Sequence, residues 1–326
     1  MARNKKIKLV IDTDPGIDDF HAITMALSSP NIDVLALTCV TGNTSLSNGV
    51  RNVHYLLQTL NRTDVPVYKG AECSVTGKYK YASHVHGDDG CGNATIGLNI
   101  ELNLLQDEPA AMALCRLAKQ YHGELVVAAI GPLTNLFLAH RLDPEFSKHL
   151  KELYIMGGNS VLPNYQTLSI GIEFNFRCDP LAASIVLEEF HIMPLIISYE
   201  LTCICSLSYD YIDSLFARKN ESKKAKLFHS VSEFLYDFSK TDEQGSGFNS
   251  CDSVAMACVL DKSMILETRK VYAVVEQFGS CAAGHMISDW HNHFKRQPNV
   301  EIVENIDFEK FKKLFLLCVD DNLVEN

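Results

Sequence analysis

Long apolar runs and a secretion signal are missing from this sequence. No apolar stretch approaches the ~20 residues that a membrane-spanning helix requires. The basic residues at the start of the chain are followed by too few apolar residues before Asp12 to form the core of a signal peptide. We therefore expect no membrane association.

Paired cysteine motifs and clusters of basic residues are also missing. The 11 cysteines include no Cys-x-x-Cys pair, which argues against a disulfide framework and favours reduced thiols in a cytoplasmic enzyme. Lys and Arg number 29 against 40 Asp and Glu, which gives a net charge of −11. Because phosphate contacts need clustered Lys and Arg, this charge argues against a general nucleic-acid binder.

The apolar residues that are present alternate between buried-strand runs and amphipathic helices, and no linker interrupts residues 1–326. We expect one α/β domain with a mostly parallel open sheet and helices on both faces, because continuous apolar strands separated by helices are typical of that class. Strands are predicted at residues 6–11, 33–40, 65–68, 124–130, 152–156, 194–199 and 271–276. Helices are predicted near residues 18–28, 46–60, 108–122 and 307–319, and they dominate residues 179–260.

The most informative segment is residues 12–19, Asp-Thr-Asp-Pro-Gly-Ile-Asp-Asp, which directly follows the first predicted strand. Its four carboxylates would raise one another's pKa unless a cation or strong hydrogen-bond donors offset them. Asp18 and Asp19 could be ordinary helix caps, and Asp14-Pro15-Gly16 could be a tight turn. Neither alternative explains why Asp12 and Asp14 add charge to the same small space.

Other polar turns follow other predicted strands. Thr41-Gly42-Asn43, Gly131-Pro132 and Gly157-Gly158-Asn159 each come directly after a strand. Ligands bind beyond the carboxyl ends of open parallel sheets, so we expect a site at this edge. Carboxylates and carbonyls are the oxygen ligands that Ca2+ prefers, and the absence of His and Cys from residues 12–19 disfavours zinc.

With these motifs the chain resembles the nucleoside hydrolases of the inosine-uridine preferring type, over nearly its whole length. The segment Asp12–Asp19 matches the family's Asp-x-Asp-Pro-Gly-x-Asp-Asp signature. The supporting matches are Val40-Thr41-Gly42-Asn43, His84-Val85-His86-Gly87, Gly131-Pro132-Leu133-Thr134-Asn135, Met156-Gly157-Gly158, Glu173-Phe174-Asn175, Asp179-Pro180 and Asp252-Ser253-Val254-Ala255.

The resemblance implies calcium-dependent hydrolysis of the N-glycosidic bond of ribonucleosides by a homo-oligomer, a dimer or a tetramer. The implied metal ligands are Asp14, Asp19, Asp252 and the carbonyl of Ile130, and Asp14 would also activate a water. The implied substrate contacts are Asp18, Asn43, Met156, Asn164, Glu173, Asn175 and Asp252. Asp12 would support the site from behind.

One departure from the family pattern concerns the departing base. Many members place His immediately before the late Asp, where this chain has Cys251. A thiol is mostly protonated at neutral pH and could donate, although it is a weaker hydrogen-bonding group. His86 is the remaining imidazole expected near the base. The alternative is that His84 and His86 are loop residues without a role in the site. The sequence leaves purine or pyrimidine preference open.

Two other functions are compatible with parts of the sequence. Cys251, and a loop before Glu173 that is longer than in the family that the chain resembles, would suit a non-catalytic nucleoside- or ribose-binding protein. Asp12 and Asp14 at a strand end would suit a phosphatase with Asp12 as nucleophile. The Pro-Gly-x-Asp-Asp continuation disfavours the phosphatase, and the retained acidic residues disfavour a protein that only binds.

Overall fold

The computed structural model describes residues 6–78, 80–160, 171–241 and 247–320. The strands within these residues are β1 Ile7–Thr13, β2 Ile32–Cys39, β3 Val67–Lys69, β4 Leu105–Gln106, β5 Leu125–Ala129, β6 Leu150–Met156, β7 Leu195–Ile197, β8 Ile265–Val271, β9 Ala273–Val275, β10 Met286–Ser288 and β11 Val300–Ile306. The α-helices are α1 Ile17–Ser28, α2 Leu46–Thr59, α3 Ser83–His86, α4 Ala110–Gln120, α5 Thr134–Leu142, α6 Phe174–Cys178, α7 Pro180–Glu189, α8 Tyr199–Ile204, α9 Tyr209–Phe216, α10 Lys223–Thr241, α11 Cys251–Leu260 and α12 Phe308–Phe315.

Nine of the described strands form one sheet in the order β4-β3-β2-β1-β5-β6-β7-β11-β8. All neighbouring pairs in it are parallel except β11 with β8. β9 and β10 form a separate antiparallel pair. The prediction of a mostly parallel open sheet is confirmed.

Helices cover both faces of this sheet, as predicted. Because the side chains of a strand point alternately to its two sides, each central strand contributes to a core on either face. On β1, Leu9 and Ile11 enter a core packed by α1, α2, α10, α11 and α12. The intervening Val10 enters a second core packed by α4, α5 and α7. Burial on both sides explains why the central strands are continuously apolar rather than alternating.

The parallel order brings the carboxyl ends of β2, β1, β5, β6 and β7 side by side at one edge. The register aligns Asp12 of β1 with Thr38 of β2 and with Ala129 of β5. The turns that follow these strands therefore share one edge of the sheet. This adjacency was predicted from the strand pattern.

The C-terminal strands differ from the prediction. The prediction of one strand at residues 271–276 is wrong. Val271 is the last residue of β8, and Ala273 is the first residue of β9, which belongs to the separate antiparallel pair. β8 and β11 were not predicted. Most of β8 is exposed at the sheet edge, so it lacks the apolar run that identified the buried strands. None of the described helices is both long and apolar enough to cross a bilayer.

Candidate active site

Asp14 lies in the turn between β1 and α1 and is fully buried. Its Oδ2 accepts a hydrogen bond from the backbone N–H of Asn43, 2.7 Å away, in the turn after β2. Its Oδ1 is buried without a hydrogen-bond partner among the described residues. A buried carboxylate oxygen without a donor is costly, so this atom is placed for a cation or a ligand proton.

Asp19 is held firmly at the start of α1. Its Oδ1 accepts a hydrogen bond from the Thr13 hydroxyl. Its Oδ2 accepts from the N–H of Gly16, 2.8 Å away, and from Nδ2 of Asn43, 3.0 Å away. The N-cap residue of α1 is Gly16, and Asp19 caps the helix from its third position by accepting from the N–H of Gly16. Capping does not account for its contacts with Thr13 and Asn43.

Asp18 and Asp19 meet Asp252, which is in the first turn of α11. One carboxylate oxygen from each lies within 4.8 Å of the others. Asp18 Oδ1 is also buried without a hydrogen-bond partner among the described residues. An all-oxygen group of this kind can hold a hard divalent cation.

Burial and mutual repulsion determine the protonation of these carboxylates. Burial, reinforced by repulsion from Asp19, raises the pKa of Asp14 well above its ordinary range. Burial followed by repulsion from Asp18 does the same to the pKa values of Asp19 and Asp252. A divalent cation would reverse this by stabilising the ionised forms.

Asn175, in α6, joins two strand ends on the other side of the site. Its Nδ2 donates to the carbonyl of Ile130, 3.0 Å away, and to the carbonyl of Met156, 3.1 Å away. These two acceptors fix the orientation of the amide, so that Oδ1 is the atom available to a hydroxyl. The Ile130 carbonyl keeps a second lone pair for another ligand.

Glu173 is buried at the start of α6 and is anchored by the backbone. It accepts hydrogen bonds from the N–H groups of Gly158, Asn175 and Phe176 at 2.6–2.9 Å. Burial nevertheless raises its pKa to about 7. The backbone of Glu173 donates to Asn159 Oδ1, 2.8 Å away.

Asn159 in turn connects Glu173 to a second buried acid that the sequence did not reveal. Asn159 Nδ2 donates to Glu200 Oε1, 3.0 Å away, and the N–H of Ser160 donates to Glu200 Oε2, 2.7 Å away. The polar turn after β6 was recognised in the sequence. Its partner Glu200 was not, because the strand before Glu200 carries no polar signal.

His86, at the end of the short helix α3, is buried and contacts the start of α1. Its Nδ1 accepts a hydrogen bond from the N–H of Ile17, 3.0 Å away, and lies 3.9 Å from Asp18 Oδ1. Burial lowers its pKa. Because Nδ1 is an acceptor, the neutral ring carries its proton on Nε2. His84, in contrast, is exposed.

Cys251 begins α11, next to Asp252, and its Sγ lies 3.2 Å from the Thr202 hydroxyl, which also donates to the carbonyl of Tyr199, 2.8 Å away. Burial and then the negative charge of Asp18 raise its pKa well above the ordinary value. The side chain at this position is therefore a neutral thiol. Thr202 was not predicted, since its contact with Cys251 spans 49 residues of chain.

The predicted residues lie at one edge of the sheet, with two qualifications. Asn164 lies outside the described residues. Asp12, as expected, stays behind the site: Asn135 Nδ2 donates to its Oδ1, 2.9 Å away, and also to the carbonyl of Cys39. Burial raises the pKa of Asp12 to about 8.

Comparison with known proteins agrees with this geometry. The model of the inosine-uridine preferring nucleoside hydrolase family matches residues 9–313. A protein from Arabidopsis thaliana named probable uridine nucleosidase 2 is 32% identical over 100% of both chains. The inosine-uridine preferring nucleoside hydrolase of Crithidia fasciculata is 28% identical, over 95% of this chain and 96% of its own.

Solved structures show the same architecture. A plant nucleoside hydrolase superposes with a TM-score of 0.86 at 28% identity, covering 97% of this chain and 99% of its own. A purine-preferring ribonucleoside hydrolase from Gardnerella vaginalis gives 0.84 at 25% identity, covering 97% and 99%. Fold, acidic site and relatives together define a nucleosidase, an enzyme that cleaves N-glycosidic bonds. The chain belongs to the inosine-uridine preferring nucleoside hydrolase family. The prediction that the chain is an enzyme is confirmed, against the two alternatives of a protein that only binds nucleosides and of a phosphatase.

The turn after β2 yields a prediction about Gly42. A Cβ at this position would overlap Asp14 Oδ2, so Gly42→Ala must displace the Asp14 carboxylate. We expect nucleosidase kcat/KM to fall at least about 100-fold, since Cγ and Cβ of Asp14 would also lie within 2.8 Å of the new Cβ and the whole carboxylate side chain has to move. Gly77→Ala is the control: it strains a backbone with φ of 75° in open space and should reduce stability without reducing activity. Equal activity of both variants would contradict the prediction.

Glu173 yields a prediction about stability and pH. The folded state holds its proton up to about pH 7, whereas the unfolded chain releases it near 4.5. Stability therefore falls as pH rises from about 4.5 to about 7, by on the order of 3 kcal/mol at most, and this loss is complete above pH 7. Glu173→Gln should flatten that part of the profile.

The free energy of unfolding, measured with denaturant at pH 5 and pH 8 in chelator, tests this. Wild type should lose more stability between the two values than Glu173→Gln. The exposed Glu267→Gln should behave as wild type. Identical losses in wild type and Glu173→Gln would show that Glu173 does not hold a proton in the folded state.

Proposed function

We propose that this nucleosidase hydrolyses ribonucleosides to free base and ribose with the help of Ca2+ bound in its acidic site. One observation carries the proposal: oxygens of Asp18, Asp19 and Asp252 meet within 4.8 Å, and Asp14 Oδ1 and Asp18 Oδ1 are buried without a hydrogen-bond partner among the described residues. Such a group needs positive charge. The names of the relatives support ribonucleosides as the substrate class.

The residues present suit a calcium ion. Asp14, Asp19, Asp252 and the carbonyl of Ile130 are the proposed ligands. The carboxylates that meet within 4.8 Å are those of Asp18, Asp19 and Asp252, and Asp14 lies close enough to repel Asp19 and Asp252. All of these donors are oxygen, as Ca2+ prefers. When bound, the ion would supply positive charge that orients the ribose hydroxyls and makes a nearby water more acidic.

Asp14 is the proposed general base. Its Oδ2 is occupied by the N–H of Asn43, which leaves Oδ1 to accept the proton of the attacking water. Asp18 and the Oδ1 atoms of Asn43 and Asn175 would read the ribose hydroxyls. Met156 would line the sugar pocket, and Glu173 would lie near the 5′-hydroxyl. Ionised carboxylates close to the sugar would also stabilise the positive charge that develops on the ring as the bond breaks.

Negative charge develops on the departing base, and two neutral hydrogen-bond donors are available to stabilise it. His86 carries a proton on Nε2 because Nδ1 accepts from Ile17. Cys251 is a protonated thiol oriented by Thr202. We propose that both stabilise the charge on the departing base by hydrogen bonding, with His86 Nε2–H as the stronger hydrogen-bond donor and the Cys251 thiol as the weaker one. A cytoplasmic dimer or tetramer acting in nucleoside salvage or catabolism completes the proposal, on the strength of the family resemblance.

Replacement of Asp14 tests the proposed base. Asp14→Asn should lower kcat for inosine and uridine at least about 100-fold, because general-base catalysis contributes on this scale. Free ribose is measured with chelator and after Ca2+ is restored. Wild type should lose activity in chelator and regain it with Ca2+, and the exposed Asp88→Asn should match wild type. Undiminished activity in chelator would contradict a role for calcium.

Replacement of Cys251 tests the proposed weak donor. Cys251→His should raise kcat for nucleosides with poor leaving bases several-fold, since the imidazolium form of a His is a better acid near neutral pH than a thiol. Hydrolysis of 4-nitrophenyl riboside, whose leaving group departs as a stable anion, should change little. Cys258→Ala, in the buried part of α11, controls for packing. Equal effects on both substrate types would show that Cys251 does not act on the leaving group.

A further inference from the structure

A histidine that the proposed chemistry does not use lies directly behind the acidic site. His21 is in α1, two residues after Asp19, and is 2% exposed. Its ring packs against Phe228, Phe248 and Phe315, with centroids 5.1–5.8 Å apart. An apolar side chain would fill this aromatic space at no desolvation cost, so the polar ring calls for a different explanation.

Both nitrogens of His21 are hydrogen-bonded to hydroxyls of other helices. Nδ1 lies 2.9 Å from Ser250 Oγ, and Nε2 lies 2.7 Å from Ser232 Oγ. Ser250 Oγ is in turn 2.7 Å from Ser253 Oγ. Each ring nitrogen of His21 thus faces a hydroxyl that can donate or accept, and His21, Ser232, Ser250 and Ser253 form one row of four hydrogen-bonded groups.

This row joins the two helices that carry the acidic residues. α1 contributes Asp18 and Asp19 in its first turn, and Ser250 is the N-cap residue of α11, immediately before Cys251 and Asp252. On the other side of the His21 ring, Nε2 forms its hydrogen bond with Ser232 of α10. α1 and α11 also pack against each other along the core.

We propose that His21 is a positioning residue that fixes the start of α11 against α1 and so sets the distance of Asp252 from Asp18 and Asp19. The inference rests on the proposed function, because it assumes that these carboxylates hold a cation. Without the cation they repel one another, and the hydrogen bonds of His21 oppose that repulsion. The acidic site is thereby kept ready for the ion instead of being assembled by it.

His21→Phe removes both hydrogen bonds and keeps a ring in the aromatic space. Calorimetric titration of the chelator-treated protein with Ca2+ alone should give a dissociation constant about ten-fold or more above that of wild type. The matched control is His54→Phe: His54 is equally buried, but its Nδ1 contacts only the carbonyl of Val50 in its own helix α2. That variant should lower the melting temperature and leave the calcium affinity unchanged.

Ser250→Ala removes only the link to α11 and provides a milder test if His21→Phe does not fold. It should weaken Ca2+ binding several-fold, and adding His21→Phe to it should weaken binding by less than the product of the two single effects, because both break the same row. Unchanged affinity in the folded variants overturns the role of His21 alone. Wild type that binds no Ca2+ overturns the proposed function and this inference together.

Discussion

The structure depends on one electrostatic constraint, the confinement of several carboxylates at the buried end of β1. Asp12, Asp14, Asp19 and Asp252 are each no more than 2% exposed, and burial is the largest cause of the raised pKa of each. Among the described residues no Lys or Arg forms an ion pair with any of them. Such a group is stable only if protons, hydrogen-bond donors or a cation offset the charge.

The surrounding fold supplies donors to some of these oxygens and withholds them from others. Backbone N–H groups of Gly16 and Asn43 and the amide of Asn135 donate to oxygens of the cluster, whereas Asp12 Oδ2 at its rear has no hydrogen-bond partner among the described residues. Gly131 lets the chain after β5 approach closely, since a Cβ there would lie 2.7 Å from Asp14 Oδ1. Asp14 Oδ1 and Asp18 Oδ1 therefore have no hydrogen-bond donor among the described residues and can contact a cation or a ligand.

Much of this arrangement could be predicted from the sequence, because it follows from local pattern and parallel strand order. The acidic segment after β1 and the polar turns after β2, β5 and β6 are visible in the sequence, and together they predict that these residues meet at one edge of the sheet. Glu200, Thr202 and His21 could not be found in the same way. Each is an unremarkable residue locally, and its use depends on a partner that folding brings from far along the chain. The exposed edge strand β8 was missed for a related reason, since it carries no buried apolar run. The predicted roles of the site residues stay predictions.

The two halves of the site differ in charge in a way that fits the proposed reaction. The half assigned to ribose is anionic and is anchored by backbone donors, as at Glu173 with three N–H groups. In the half assigned to the base, His86 is neutral because burial lowers its pKa, and Cys251 is neutral because burial raises its pKa. Opposite shifts thus leave two neutral hydrogen-bond donors. Cleavage of an N-glycosidic bond moves electrons from the sugar towards the base, so negative charge belongs beside the ring and hydrogen-bond donors beside the leaving group. The acidic segment alone accounts for the first requirement, and the substitution of Cys for His at position 251 bears only on the second.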